Sequence, residues 1–302
     1  MLGRMAFRTS CRSNGGHMTQ TAFFRLNDEL RSLDLPEPDQ LVVEGVAWGR
    51  VDEMLTPASW AFQCNAQMDS IDSHRFRMGD TLEEEYATCV LAGYGISAEI
   101  GMAAACRLRE SGVLDGTSDS SEDAITQLLE KPLDVDGRKI RYRFYRTKSR
   151  HLSAGLKALR EGRPDEQDAT SFRAWFRRLP GVGPKTSSFI TRNWLGSDDV
   201  AILDIHVVRA CQAFGLFEAP ADVSRHYCEL EQKFIRFARA LNVKASWLDA
   251  VMWDGMRQLS PQIVEEYAPV KLSSTPSSFK PAPNATAPLV KQHQLFDRPL
   301  SN

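Results

Sequence analysis

From Thr81 to Leu259 the apolar residues recur three or four positions apart and almost nowhere alternate. That spacing lines one face of a helix, so it excludes a sheet-based body for the chain. Thr81-Leu-Glu-Glu-Glu reads as an N-cap followed by acids in a first helical turn, leading into a stripe of Tyr86, Val90 and Leu91. Gly93-Tyr-Gly interrupts that stripe, and Ser97-Ala-Glu opens the next helix, to about Glu110. Further helices are expected over 120–130, 148–160, 169–178, 222–240 and 247–259. Strand candidates are confined to Leu41–Val46 and Lys139–Tyr145, the second too basic for a central strand. The expectation is an all-α fold with short loops and no internal repeat.

The 302 residues, 42% apolar and 25% charged, have the composition of an ordinary globular chain with a real core. No apolar run reaches the roughly 18 residues a spanning helix needs, so a soluble, non-membrane protein is expected. The six cysteines (Cys11, Cys64, Cys89, Cys106, Cys211, Cys228) form no CxxC pair. They read as reduced thiols in a cytoplasmic protein, which argues against a zinc finger or an iron–sulfur cluster. Residues 1–20 carry Arg4, Arg8 and Arg12 without an acid and read as a flexible extension, with an organellar presequence as the alternative. Residues 270–302, rich in Pro, Ser, Ala and Thr, are expected to form a disordered tail.

The net charge of −2 conceals an asymmetry. Between Arg138 and Arg163 stand ten Lys/Arg and one acid, Glu161, a local net charge of +9. Arg173, Arg177, Arg178, Lys185, Arg192 and Arg209 add a second basic group, while acids gather at 80–85 and 115–130. A basic middle in a near-neutral chain fits polyanion binding through one face; a solvated helix pair would give the same counts.

One segment carries most of the chemistry: Ala174-Trp-Phe-Arg-Arg-Leu-Pro-Gly-Val-Gly-Pro-Lys-Thr-Ser. A helix ends near Arg178, a tight turn uses Leu179-Pro-Gly-Val-Gly, and Pro184 starts a second helix. Backbone N–H groups at Gly181, Val182 and Gly183, added to the positive end of the new helix, suit a phosphate. Such a turn would hold a nucleic-acid backbone without reading its sequence. A plain helical hairpin with a glycine turn would look the same. Lys185, in the first turn, stands where a cation is electrostatically misplaced, so a lowered pKa and a nucleophilic free amine are expected, aided by partial desolvation. Nineteen residues after Lys185 comes Asp204, within Ala201-Ile-Leu-Asp-Ile-His-Val-Val-Arg, at a helix N-terminus where an N-cap is the simplest role.

These two motifs, LPGVGPKTS and LDIHVVR, resemble the helix–hairpin–helix DNA glycosylases of base-excision repair. The resemblance is firmest over 169–214 and extends more loosely to 82–97, Tyr142-Arg-Phe and 247–253, where it looks most like the 8-oxoguanine glycosylase branch. It implies a two-lobed all-α fold. One lobe, 116–215, holds the hairpin (about 170–195); the other is discontinuous, 21–115 plus 216–269. It also implies a DNA N-glycosylase with AP lyase activity on double-stranded DNA with a flipped-out base. Lys185 would attack C1′ of the nucleotide and form a Schiff base; Asp204 would stay ionised and assist. Gly181, Val182, Gly183, His206 and Arg209 would contact phosphate, although His206 reads equally as a helix-surface histidine. The resemblance implies no required cofactor and no iron–sulfur cluster, with the hairpin carbonyls able to take a monovalent cation.

The base pocket has several candidates. Trp48, Trp60, Trp247 and Trp253 are stacking partners or core, and Gln63 and Gln67 read a base edge or face solvent. In the tail, Gln292, Leu295 and Phe296 match three positions of the pentapeptide that holds the bacterial sliding clamp, a match that chance also produces. A monomer is expected, nucleoid-associated when on DNA. An alternative keeps the fold but redirects it to another modified base or N-glycosidic substrate in antiviral defence, or to binding alone.

Overall fold

The structure, a computed structural model, describes residues 19–67, 76–93 and 95–270. In chain order these form β1 (Thr19–Leu26), β2 (Glu29–Pro36), β3 (Leu41–Val43), β4 (Val46–Ala47), α1 (Pro57–Ala66), α2 (Leu82–Leu91), α3 (Ala98–Glu110) and α4 (Glu122–Glu130). Then follow β5 (Leu133–Val135), β6 (Arg138–Ile140), α5 (Tyr145–Glu161), α6 (Ala169–Phe176), α7 (Pro184–Leu195), α8 (Ile205–Ala213), α9 (Val223–Ala240), α10 (Ala245–Arg257) and α11 (Pro261–Tyr267). Helices make the body. Among the described residues the strands pair as three separate two-stranded antiparallel sheets, β1–β2, β3–β4 and β5–β6.

The described chain divides into two units, one of residues 19–67 with 198–270 and one of residues 76–197. The expected lobes, 21–115 plus 216–269 and 116–215, are therefore corrected at both boundaries. The reason is packing: α2 lies on α5 and α7, which draws 82–110 into the hairpin unit, while α8 lies on α10, which draws 205–213 out of it.

In the hairpin unit, α2 is buried on every side, including Glu83, Glu84 and Glu85. Glu85 is satisfied by four donors: the N–H groups of Met78 (2.6 Å) and Gly79 (3.2 Å), Asn193 Nδ2 (2.8 Å) and the Cys89 thiol (3.4 Å). Burial raises its carboxyl above the usual range despite those bonds. The end of α2 is capped from the side: Tyr142 Oη donates to Leu91 O (2.6 Å) and the buried Lys148 ammonium to Val90 O (2.5 Å). A cation is favoured there because helix carbonyls point at it.

In the other unit, the β1–β2 hairpin lies partly inside the segment assigned to the flexible extension. Its turn places Asn27 and Asp28 at φ of 51° and 63°, the left-handed pair that a two-residue hairpin demands. Alternation is absent because β2 is exposed along most of its length. Helix α1 also lay outside the expected set; Thr56 caps it, accepting the Ser59 N–H at 3.0 Å, and Pro57 opens it. Among the described residues no helix is long and apolar enough to cross a membrane. The remainder of the N-terminal extension and the tail motif Gln292, Leu295 and Phe296 lie outside the described residues.

Candidate active site and nucleic-acid interface

The hairpin is built by α6, a five-residue turn and α7. Asp168 caps α6, taking the N–H groups of Thr170 and Ser171, both at 3.0 Å. Phe172 and Phe176 then fix the helix in the core, Phe176 stacking on Tyr86 with centroids 6.0 Å apart. The turn Leu179-Pro-Gly-Val-Gly closes on itself through Val182 N–H to Leu179 O (3.2 Å), and the Val182 side chain plugs the core at 6% exposure. Val182 thus spends its N–H inside the turn and corrects the expected set of three donors to two. The N–H groups of Gly181 and Gly183, joined by that of Thr186, have no acceptor among the described residues, and both glycines are exposed. Gly181 needs its glycine: φ is +75°, and a Cβ there would stand 2.0 Å from Nδ1 of His151 on α5. At Gly183 a Cβ would meet no protein atom within 4 Å.

Lys185 stands in the first turn of α7, as expected, but it is exposed.

The basic run 138–163 separates into two halves. Arg160 donates to Ser120 Oγ (2.6 Å) and Val113 O (2.9 Å), Arg163 pairs with Glu83 (2.6 Å), Lys139 with Asp134 (2.9 Å), and Lys148 is buried. Those cations serve the fold. Arg138, Arg141, Arg143, Arg146 and Arg150 are exposed and pair with no carboxylate among the described residues. His151, between the two groups, keeps Nδ1 buried and without a hydrogen-bond partner among the described residues. Partial burial, then Lys148 and Arg150, hold its imidazole below the ordinary value.

In the other unit Asp204 caps α8, its Oδ1 accepting the N–H groups of His206 and Val207, both at 2.9 Å. Capping is therefore real, and it occupies one carboxylate oxygen. His206 and Arg209 are one turn apart on α8 and half-buried. Arg209 Nη2 is buried without a hydrogen-bond partner among the described residues, and its guanidinium pKa is lowered by desolvation. Such a group is completed by an anion.

Of the base-pocket candidates, Trp48, Trp60 and Trp247 are 7%, 2% and 6% exposed. Trp247 Nε1 donates to Cys64 O at 2.9 Å, bonding α10 to α1. These three indoles are core. Gln63 on α1 and Trp253 on α10 are half-buried, the latter under the Arg257 guanidinium at 4.7 Å, and Gln67 is exposed at the end of α1. Sequence reading missed His151, which carries no local motif and touches the hairpin only through the fold.

The sequence model of the Ogg-HhH family, 8-oxoguanine DNA glycosylase, matches residues 64–243. An 8-oxoguanine DNA glycosylase/AP lyase of Methanocaldococcus jannaschii is 30% identical over 138 residues, 43% of this chain and 65% of that protein. One of Metallosphaera sedula is 32% identical over 116 residues, 37% of this chain and 57% of that protein. The chain thus spans somewhat under two thirds of these relatives. Among solved structures, a non-covalent endonuclease III–DNA complex superposes with a TM-score of 0.50 at 16% identity, covering 70% of this chain and 93% of that one, a likeness of fold alone. With a family match over more than half its length, the chain belongs to the 8-oxoguanine DNA glycosylase (Ogg-HhH) family.

Proposed function

We propose that this protein is a DNA glycosylase with AP lyase activity that removes an oxidised guanine of the 8-oxoguanine type. The observation that carries the reading is Lys185 in the first turn of α7, directly behind two exposed glycine N–H groups without acceptors among the described residues. Those donors and the helix dipole suit one DNA phosphate. The absence of a side chain at Gly183, which neither its φ of −86° nor a neighbouring atom requires, leaves room for a backbone to approach. The carbonyls of Pro180, Gly181 and Val182 accept no hydrogen bond from the described residues and are the neutral oxygens a monovalent cation takes.

In this reading Lys185 Nζ, as free amine, attacks C1′ and the bond from C1′ to the base breaks, the base leaving with the electron pair and then a proton. Opening of the sugar ring at C1′–O4′ gives the iminium between Lys185 and C1′. Loss of a C2′ proton then expels the 3′-phosphate, nicking the strand, and water releases the lysine. Asp204, ionised, offsets the positive charge that grows on the sugar. His206 and Arg209 hold phosphate.

The test is borohydride trapping on a duplex with one 8-oxoguanine opposite cytosine, with Lys185→Gln alongside. A crosslink and a nick that both vanish in the variant are expected. A crosslink only on a duplex with a pre-formed abasic site would keep the lyase and discard 8-oxoguanine. No crosslink on either duplex would overturn the reading.

A further inference from the structure

Ahead of Asp204 the chain runs through Ala201-Ile202-Leu203 outside any described helix or strand and turns tightly at Leu203, where the Asp204 N–H donates to Ile202 O (3.0 Å). Its polar backbone is taken up by three side chains from two helices. Ala201 N–H donates to Glu231 Oε1 of α9 (3.1 Å), and Ile202 N–H to Asp249 Oδ2 of α10 (2.9 Å). Leu203 N–H donates to the Tyr227 hydroxyl of α9 (3.2 Å), which itself donates to Ala201 O (2.8 Å). Three successive amides are thus held one by one. The three side chains are 0%, 2% and 4% exposed for Glu231, Asp249 and Tyr227.

Burying two carboxylates to hold loop amides is costly, since solvent would satisfy the same amides at the surface. Folding of α8 does not call for it, because Asp204 already supplies the cap. What the three bonds do fix is the path by which the main chain enters α8, and with it the direction of the Asp204 side chain.

We propose that Glu231, Tyr227 and Asp249 form a main-chain clamp that holds the Asp204 carboxylate in its working orientation. They are positioning residues acting through Asp204, and this role rests on the function proposed above. Misplacement of a reacting group by about 1 Å is enough to slow catalysis on the order of a hundredfold.

Tyr227→Phe removes one hydroxyl and little else. Single-turnover excision by the full chain on the 8-oxoguanine duplex is expected to fall about tenfold, with the DNA Kd unchanged. In an Asp204→Asn background the same change is expected to add less than about twofold, because the clamp then has nothing to aim. An equal fall in both backgrounds, or none in either, overturns the proposal. Asp249→Asn, which keeps an oxygen for the Ile202 N–H, is expected within about threefold of wild type, and Asp249→Ala to fall as Tyr227→Phe does. Equal rates for those two also overturn it. Should wild type neither excise nor crosslink, the glycosylase reading fails and the catalytic role of the clamp with it. Amide exchange then reads the clamp alone: 201–207 should exchange about tenfold faster in Tyr227→Phe with 179–186 unaffected, and no change would remove the clamp as well.

Discussion

The imidazole of His151 fills the place where a side chain at Gly181 would go, 2.0 Å separating its Nδ1 from that Cβ. A helix residue thirty positions upstream therefore dictates the bare turn, and Gly181 is constrained twice, by this imidazole and by its φ of +75°. Gly181→Ala should cost about 2 kcal/mol or more, from left-handed backbone strain and overpacking together. It should also weaken duplex binding by tenfold or more. Adding His151→Gly should recover the overpacking part and leave the strain. Thermal unfolding of the single and double variants, beside a binding isotherm, separates the two; a Gly181→Ala protein as stable as wild type would contradict the close approach.

The same histidine gives the hairpin unit a pH response. Its folded pKa lies below the ordinary imidazole value near 6.5, so the unfolded chain takes the proton first. The neutral ring's contribution to stability is complete above about pH 6.5 and is lost as pH falls below it toward the folded pKa. Lys148 and Arg150 lie close enough to oppose the charged form, and Gly181 offers it no acceptor side chain. Denaturant midpoints of wild type and His151→Gln should run parallel above pH 7 and close or cross as pH falls below about 6.5, because wild type alone then weakens. Curves parallel throughout that fall would exclude His151 as the titrating group.

Much of this architecture was legible because its signals are local. Thr81, Ser97 and Asp204 each announce a helix start with a side chain that reaches only two or three residues ahead. Pro184 behind two glycines marks the hairpin in the same way. Lys185 was placed by its motif, but its exposure was not, because solvent access depends on residues distant in sequence. The β1–β2 hairpin escaped notice since an exposed strand has no reason to alternate, and Asn27-Asp28 was its one legible sign. The unit boundaries, the clamp on 201–203 and the split of the basic run are decided by residues far apart in the chain. Arg160 and Arg150 sit on one helix with the same charge; only the fold gives one a carbonyl and a hydroxyl and leaves the other in solvent.

Asp204 has two roles that one pair of substitutions can divide. Asparagine caps helices as well as aspartate, so Asp204→Asn should unfold within about 0.5 kcal/mol of wild type while excision falls a hundredfold or more. Asp204→Ala should lose the same activity and, in addition, about 1 kcal/mol of stability. An Asp204→Asn protein with wild-type excision would reduce Asp204 to a cap.

Arg146 and Arg150 stand on α5 without carboxylate partners among the described residues, whereas Arg160 on the same helix holds Val113 O and Ser120 Oγ. If the open half of the run meets DNA, each arginine on a phosphate releases counterions, and the slope of log affinity against log salt shrinks by about one for every such arginine neutralised. The pair Arg146→Gln and Arg150→Gln should therefore flatten that slope by about two for any duplex sequence and leave the unfolding midpoint unchanged. Arg160→Gln should do the reverse, costing about 1 kcal/mol of stability with the slope intact. Isotherms on one duplex over a series of salt concentrations decide it. A slope that responds to Arg160 and not to Arg146 and Arg150 would move the nucleic-acid face away from the start of α5, because counterion release is counted only where cation and phosphate meet.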